Sequence, residues 1–417
     1  MNAPNEPRGR HLTRKATFVG NSGRLFARGL QAILDQIDRG LEFGTIEGTT
    51  PDGATRVLGG RGEGPVAVVN LCDWNALLRL MRRGSAGWYE AWANGEWDSP
   101  DPVQLFDLFM RNRVALGRVA RPSGFVGMLG RVAHFFRRNT KHGARRNVEF
   151  HYDLGNDFYA AWLDDSMTYS SAIFAGTFVA TESLEHAQGR KNDALLDRLK
   201  LANGQTMLEI GCGWGGLAEA ALRHHRVRYH GITLSPEQKR YADIRLKDLG
   251  DAVIALTDYR DVGGEYDAIA SVEMVEAVGM EYWPAYLDTI SRCLKPGGRA
   301  AIQYIRIEDD VFEAYANGFD FIQQYIFPGG MLLSESRFRW LAEARGLEWH
   351  DQHDFGLDYA ETLHRWGLRF DAALEEERLP TEFDEKFISL WRYYLMYSEG
   401  GFRSGGINVS QVTLIKQ

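Results

Sequence analysis

From residue 151 to the carboxyl end, short apolar runs alternate with stretches of helical spacing. The runs at 207–211, 228–233, 253–256, 268–272 and 299–305 have the length and β-branched content of strands. Between them, 217–222, 236–249 and 282–294 repeat apolar residues every three or four positions, and Pro236 opens its segment as proline does at a first helical turn. Two further runs, 347–355 and 407–415, add strands near the end. Strand and helix in strict alternation predict an α/β fold with a doubly wound, mostly parallel sheet. Upstream the pattern is mixed: 25–41 is helical, 66–70 reads as a strand and 74–81 as a helix, around a turn-rich stretch at 59–64. Residues 21–110 are therefore read as a small α+β domain without a catalytic constellation. Residues 1–20 are polar and basic and are read as a flexible arm.

Between these parts lies a segment of different character. Residues 111–148 hold ten Lys and Arg and no Asp or Glu, with apolar side chains set among the charges. One reading is a linker lying on the protein's own acidic surface. The preferred one is an interfacial element, in which Phe135 and Phe136 dip into lipid while Arg131, Arg137 and Arg138 meet anionic head groups. The formal net charge of −8 argues against a general nucleic-acid binder. Three widely spaced cysteines give neither a disulfide framework nor a metal-ligand spacing, and no metal is expected. No apolar run reaches the roughly 18 residues needed to span a bilayer. Together these features predict a cytoplasmic protein held peripherally at the inner membrane face.

The sharpest local signal is Glu209-Ile210-Gly211-Cys212-Gly213-Trp214-Gly215, at the carboxyl end of the first strand of the alternating region. Glycines there let the backbone take positive φ and approach a ligand closely. The E-x-G-x-G-x-G spacing differs from the dinucleotide pattern and lacks the Lys-Ser/Thr pair of a phosphate loop. Ligands in open α/β sheets sit beyond the carboxyl ends of the strands. Three such ends offer polar groups in order: Gly211 and Gly213 with Glu209, then Thr233, Leu234 and Gln238, then Asp258 and Tyr259. This is the arrangement expected for S-adenosylmethionine (SAM). Glu209 would face its amino group, Thr233 and Gln238 its ribose, Asp258 its adenine amine, and Tyr259 would cover the ring.

Several longer stretches carry a family resemblance. They are His151-Tyr152-Asp153-Leu154-Gly155-Asn156, Met167-Thr168-Tyr169-Ser170-Ser171-Ala172, the glycine turn, Met274-Val275-Glu276-Ala277-Val278-Gly279, Tyr325-Ile326-Phe327-Pro328-Gly329-Gly330 and Phe355-Gly356-Leu357-Asp358-Tyr359. Through them residues 147–415 resemble the cyclopropane-fatty-acyl-phospholipid synthases and mycolic acid cyclopropane synthases, and 149–417 is read as the catalytic domain. Gly95-Glu96-Trp97 extends the likeness to the amino-terminal domain of the phospholipid enzymes. The resemblance implies a Rossmann-like SAM-dependent methyltransferase acting on the cis double bond of acyl chains in membrane phospholipids, with a homodimer as the common assembly. It places Tyr169 and Ser170 at the cofactor.

The family's chemistry passes through a carbocation, which aromatic faces such as Tyr169, Tyr304, Phe319, Phe321, Tyr325 and Phe327 can stabilise. In the family the proton is removed by bicarbonate, held by Glu, Tyr, His, Cys and a backbone amide. Glu276, Tyr359 and the amide of Ile305 match, but Ser171 stands at the cysteine position and Gln303 at the histidine. An extra carboxylate, Glu273, lies three residues before Glu276. The expected reaction is the family's methylene transfer closing a cyclopropane, with bicarbonate held by serine and glutamine; the alternative is C-methylation with a protein carboxylate as base, leaving a methyl-branched, methylene or furan-pathway product. A SAM-binding protein without catalysis is a third reading, opposed by the presence of Glu276 and Tyr359.

Overall fold

The computed structural model describes residues 21–117, 154–176, 181–318 and 320–417. Arg131, Phe135, Phe136, Arg137 and Arg138 lie outside the described residues, as does Phe319. No helix among the described residues is long and apolar enough to cross a membrane.

The chain forms two compact units, and neither is continuous in sequence. Residues 313–325 and 384–406 pack with the amino-terminal part, so the expected uninterrupted 149–417 domain gives up two segments. In this first unit, helix α1 (Asn21–Gly40) precedes strands β1 (Thr45–Thr49), β2 (Thr55–Gly59) and β3 (Val66–Leu71). Helix α2 (Asn75–Ala93), broken at Gly84, then leads to the short β4 (Trp97–Asp98) and to α3 (Pro102–Arg111) and α4 (Arg113–Gly117). The strands order as β2-β1-β3-β4, and β3 alternates exposed and buried residues as a half-covered sheet requires. The unit closes around Trp97, which stacks on Trp88 at 4.5 Å and donates its indole N–H to the Trp88 carbonyl. The late segment joins it because Gly400 has no side chain. A Cβ there would stand 2.5 Å from the Phe106 Cβ and 2.9 Å from the Asp107 nitrogen, so only glycine lets the 384–406 segment lie on α3.

The second unit is the predicted α/β fold. Its strands are β5 (Thr206–Ile210), β6 (Arg228–Thr233), β7 (Ala252–Leu256), β8 (Tyr266–Val272), β9 (Leu294–Ile307), β10 (Leu333–Ser334), β11 (Leu347–Asp354) and β12 (Ile407–Lys416). They order as β11-β12-β9-β8-β5-β6-β7, with β10 paired to β9. Every pairing from β7 to β9 is parallel, and β12 runs antiparallel to both β9 and β11. β5 is buried from Met207 to Ile210 because both faces of a central parallel strand are covered, and Glu209 is the one charged side chain it buries. The helices are α5 (Asn156–Ala160), α6 (Leu184–Leu199), α7 (Gly216–His224), α8 (Pro236–Leu246), α9 (Trp283–Cys293), α10 (Asp309–Ala316, which ends in the first unit), α11 (Glu335–Glu343) and α12 (Gly356–Glu375). After β5 the chain winds outward through β6 and β7, then returns to place β8 on the other side of β5. The strand order reverses between β5 and β8, and the crevice beyond their carboxyl ends is where such sheets bind ligands.

Candidate active site

Two loops meet at that reversal. The glycine turn leaves β5 with Gly211, Gly213 and Gly215 all at positive φ, between 52° and 82°. A Cβ on Gly211 would come within 3.0 Å of the Met274 side chain, so the turn is pressed against the loop that follows β8. Nothing stands within 4 Å of a Cβ on Gly213. Open space beside a left-handed glycine, at a strand end leading into α7, fits a ligand that needs close backbone approach.

The other residues expected at the cofactor are held mostly by the protein. Glu209 is buried and accepts from the Tyr229 hydroxyl, and burial pushes its pKa up to about 7. Thr233 donates to the Gln238 side chain at 2.7 Å and accepts from the Ser235 N–H, so both buried side chains serve to turn β6 into α8. Leu234, between them, is half-buried. Asp258 accepts the Arg260 guanidinium through both oxygens, at 2.8 and 2.6 Å. Tyr259 is buried edge-on against Tyr286 and beneath Arg260 instead of standing free to cover a ring. Tyr169 is half-buried among Tyr159, Trp162 and Trp366. Ser170 takes a hydrogen bond from Lys191 on its hydroxyl and one from Gln188 on its carbonyl.

The loop after β8 carries two of the expected catalytic residues, Glu273 and Glu276. Glu273 sits at φ 49°, a left-handed conformation that a glutamate adopts only when its surroundings hold it there. Its N–H donates to the Gln303 carbonyl across the β8–β9 pair, at 2.8 Å. One carboxylate oxygen accepts from the Ser171 backbone N–H at 2.9 Å and from the Gln303 side-chain amide at 2.7 Å. The other accepts from the Tyr359 hydroxyl at 2.6 Å. The 3₁₀ turn Val275–Ala277 then presents Glu276, whose Oε1 accepts from the Ile305 N–H. Its Oε2 is buried and has no hydrogen-bond partner among the described residues. Burial first, and the Glu273 charge second, push the Glu276 pKa up to about 8.

All six expected catalytic residues therefore converge, with their roles redistributed. Ser171 contributes its backbone, since its hydroxyl donates to the Ala172 carbonyl. Gln303 and Tyr359, at two of the positions the resemblance assigns to bicarbonate, meet the Glu273 carboxylate together with the Ser171 N–H, while the Ile305 amide assigned to that ion meets Glu276 instead. The Ser171 loop is tethered by Thr362, which accepts from the Ala172 N–H while donating to the Asp358 carbonyl. The aromatic residues divide differently from expectation. Tyr304 points to the face of β9 opposite Gln303, buried against Phe338 and Trp349. Phe321 and Tyr325 belong to the first unit, packed on Tyr89. Sequence reasoning missed Lys191 and Gln411. Lys191 had a signal, a lysine on the apolar stripe of α6; Gln411 is one of several polar residues along β12 and had none.

Known proteins share this framework. The family model described as mycolic acid cyclopropane synthetase matches residues 139–412. Tuberculostearic acid methyltransferase UfaA1 of Mycobacterium tuberculosis is 38% identical over 359 residues, 81% of this chain and 81% of that protein. The cyclopropane-fatty-acyl-phospholipid synthase of Escherichia coli K12 is 34% identical, covering 80% and 84% of the two chains. Among solved structures, the mycolic acid cyclopropane synthase CmaA1 complexed with SAH and CTAB superposes with a TM-score of 0.61 at 29% identity, covering 65% of this chain and 98% of that one.

Proposed function

The chain belongs to the mycolic acid cyclopropane synthetase family of SAM-dependent methyltransferases, and we propose that it methylates the cis double bond of an unsaturated acyl chain, with the Glu273–Glu276 pair as its base. SAM supplies an electrophilic methyl group when bound. The alkene π pair forms the new carbon–carbon bond as the methyl carbon leaves sulfur, and positive charge is left on the acyl chain. Burial and the Glu273 charge hold Glu276 protonated near neutral pH, so the negative charge of the pair falls on Glu273, which takes three hydrogen bonds. That charge stabilises the cation and then accepts its proton. The reading rests on one observation: Glu273 receives the Ser171 N–H, the Gln303 amide and the Tyr359 hydroxyl together.

A base fixed to the backbone takes its proton from a place the protein sets, and we assign an open-chain, methylated alkene as the product. The likeness to an enzyme named for tuberculostearic acid favours this outcome over ring closure. Phospholipid at an anionic bilayer is the proposed substrate source, on the strength of the basic, apolar-interleaved stretch at 111–148. The test is lipid mass spectrometry after expression, with hydrogenation to separate alkenes from rings. A product that resists hydrogenation as a pure cyclopropane overturns the assignment.

A further inference from the structure

Behind Glu273 and its donor Gln303, two further side chains, Gln411 and Arg198, continue the line of hydrogen bonds. Arg198, near the end of α6, donates its Nε–H to the side-chain oxygen of Gln411 at 3.2 Å. The Gln411 amide donates to the Gln303 oxygen at 3.0 Å, and to the Lys191 carbonyl at 3.3 Å. Gln303 then donates to Glu273 at 2.7 Å. Gln303, Gln411 and Lys191 are at most 1% exposed, and Arg198 is half-buried.

The two ends of this line decide its direction. A guanidinium can only donate and a carboxylate can only accept. Between them each glutamine has one orientation that satisfies both neighbours, oxygen toward Arg198 and nitrogen toward Glu273. Reversing either amide would set oxygen against oxygen. We propose that Arg198 and Gln411 are positioning residues, forming a polarised relay that holds Gln303 as a donor and so keeps Glu273 ionised as the base. This rests on the reading of Glu273 given above. Aligned amide dipoles strengthen one another in a low-dielectric interior, so a cation well behind the site stabilises the carboxylate charge. Histidine at 303 could exchange a proton with a ligand. Glutamine cannot, and the relay gives it a fixed polarity instead.

The other groups facing the relay do not replace it. Lys191 attracts Glu273, yet its ammonium is hydrogen-bonded to the Ser170 hydroxyl and is also drawn by Asp164 and Glu209. Tyr359 donates to Glu273 from α12, and Glu276 opposes ionisation from the same loop. At the outer end Arg198 faces Arg299 and Asp351.

The test is the pH profile of kcat/KM in the full-length enzyme on unsaturated phospholipid vesicles. Arg198→Met removes the donor at its partly exposed end, and Gln411→Met removes the middle link. Both are expected to move the acidic limb to higher pH by about half a unit with SAM affinity unchanged, and Arg198→Lys is expected to restore part of the shift. An acidic limb at the wild-type position in both methionine variants overturns the relay. Glu273→Gln separates the two levels: loss of turnover with unmoved limbs in the relay variants sinks only the relay. Full turnover in Glu273→Gln sinks the base and the relay together.

Discussion

Glu273 and Gln303 hold each other twice, once through backbone and once through side chains. The Glu273 N–H donates to the Gln303 carbonyl at 2.8 Å, and the Gln303 amide donates back to the Glu273 carboxylate at 2.7 Å. The backbone bond continues the β8–β9 ladder one residue past the end of β8, where Val272 pairs with Gln303. The left-handed turn at Glu273 then swings its side chain across to the neighbouring strand. Strand pairing thus fixes the reach of the carboxylate, and the side-chain bond fixes its aim.

Replacing that carboxylate separates a catalytic from a structural role. Glu273→Gln should lower turnover by at least about 100-fold, within the range for losing a general base, while calorimetry shows SAM binding intact. Glu273→Gly suits the positive φ and leaves the Ser171 N–H, Gln303 and Tyr359 facing a vacated space. Added bicarbonate or formate should then recover activity in this variant and have no effect on the wild type. Failure of every small anion to rescue would argue against the substitution of a protein carboxylate for a bound one.

Glu276 gives a stability prediction with a definite sign. Its folded pKa of about 8 lies above the ordinary 4.5, so the folded state keeps a proton that the unfolded chain releases between those values. Folding is therefore penalised increasingly as pH rises from about 4.5 to about 8, and not at all below that window. Glu276→Gln should stabilise the protein by roughly 2–4 kcal/mol near pH 8 and by little near pH 4.5, while turnover is lost. Thermal unfolding at the two pH values checks it, and an equal shift at both would refute the assignment.

Tyr359→Phe removes one of three donors to Glu273 and should move the acidic limb of the activity profile upward. A carboxylate that loses a hydrogen bond holds its proton to higher pH. Turnover at the optimum should fall by about 10–100-fold, the cost of a hydrogen bond to a charged group. An unchanged pH profile would show that the hydroxyl does not tune the base.

The glycine turn should be intolerant for two reasons at one position. Gly211→Ala places a Cβ at φ 82° and within 3.0 Å of Met274, so it strains the turn and displaces the loop that carries Glu273. Isothermal titration should show SAM affinity at least about tenfold weaker, near 1.4 kcal/mol. Wild-type affinity in a folded Gly211→Ala protein would contradict this account of the turn.

Binding to vesicles tests the basic segment. Affinity for anionic liposomes should fall steeply as salt rises through the physiological range, and substitution of Arg131, Arg137 and Arg138 by glutamine should reduce both the affinity and its salt dependence. Binding insensitive to salt would remove the electrostatic part of the proposal.

Periodicity and local conformation were legible in the amino-acid order alone. Short runs rich in apolar residues located β5 to β9 to within about five residues, since a central parallel strand is covered on both faces and its side chains are mostly apolar. Three glycines in seven residues located the turn, because positive φ is a local demand. The tertiary structure decided which polar groups face one another. Thr233 and Gln238 follow a strand end, yet they turn to each other because the start of α8 needs its own caps. Tyr304 lies beside Gln303 in sequence and on the opposite face of the sheet, because side chains alternate along a strand. Glu273 appeared in the sequence as a spare carboxylate. It gathers donors from positions 171, 303 and 359 only because β8, β9 and α12 bring those residues to one strand end, and no local pattern carries that information.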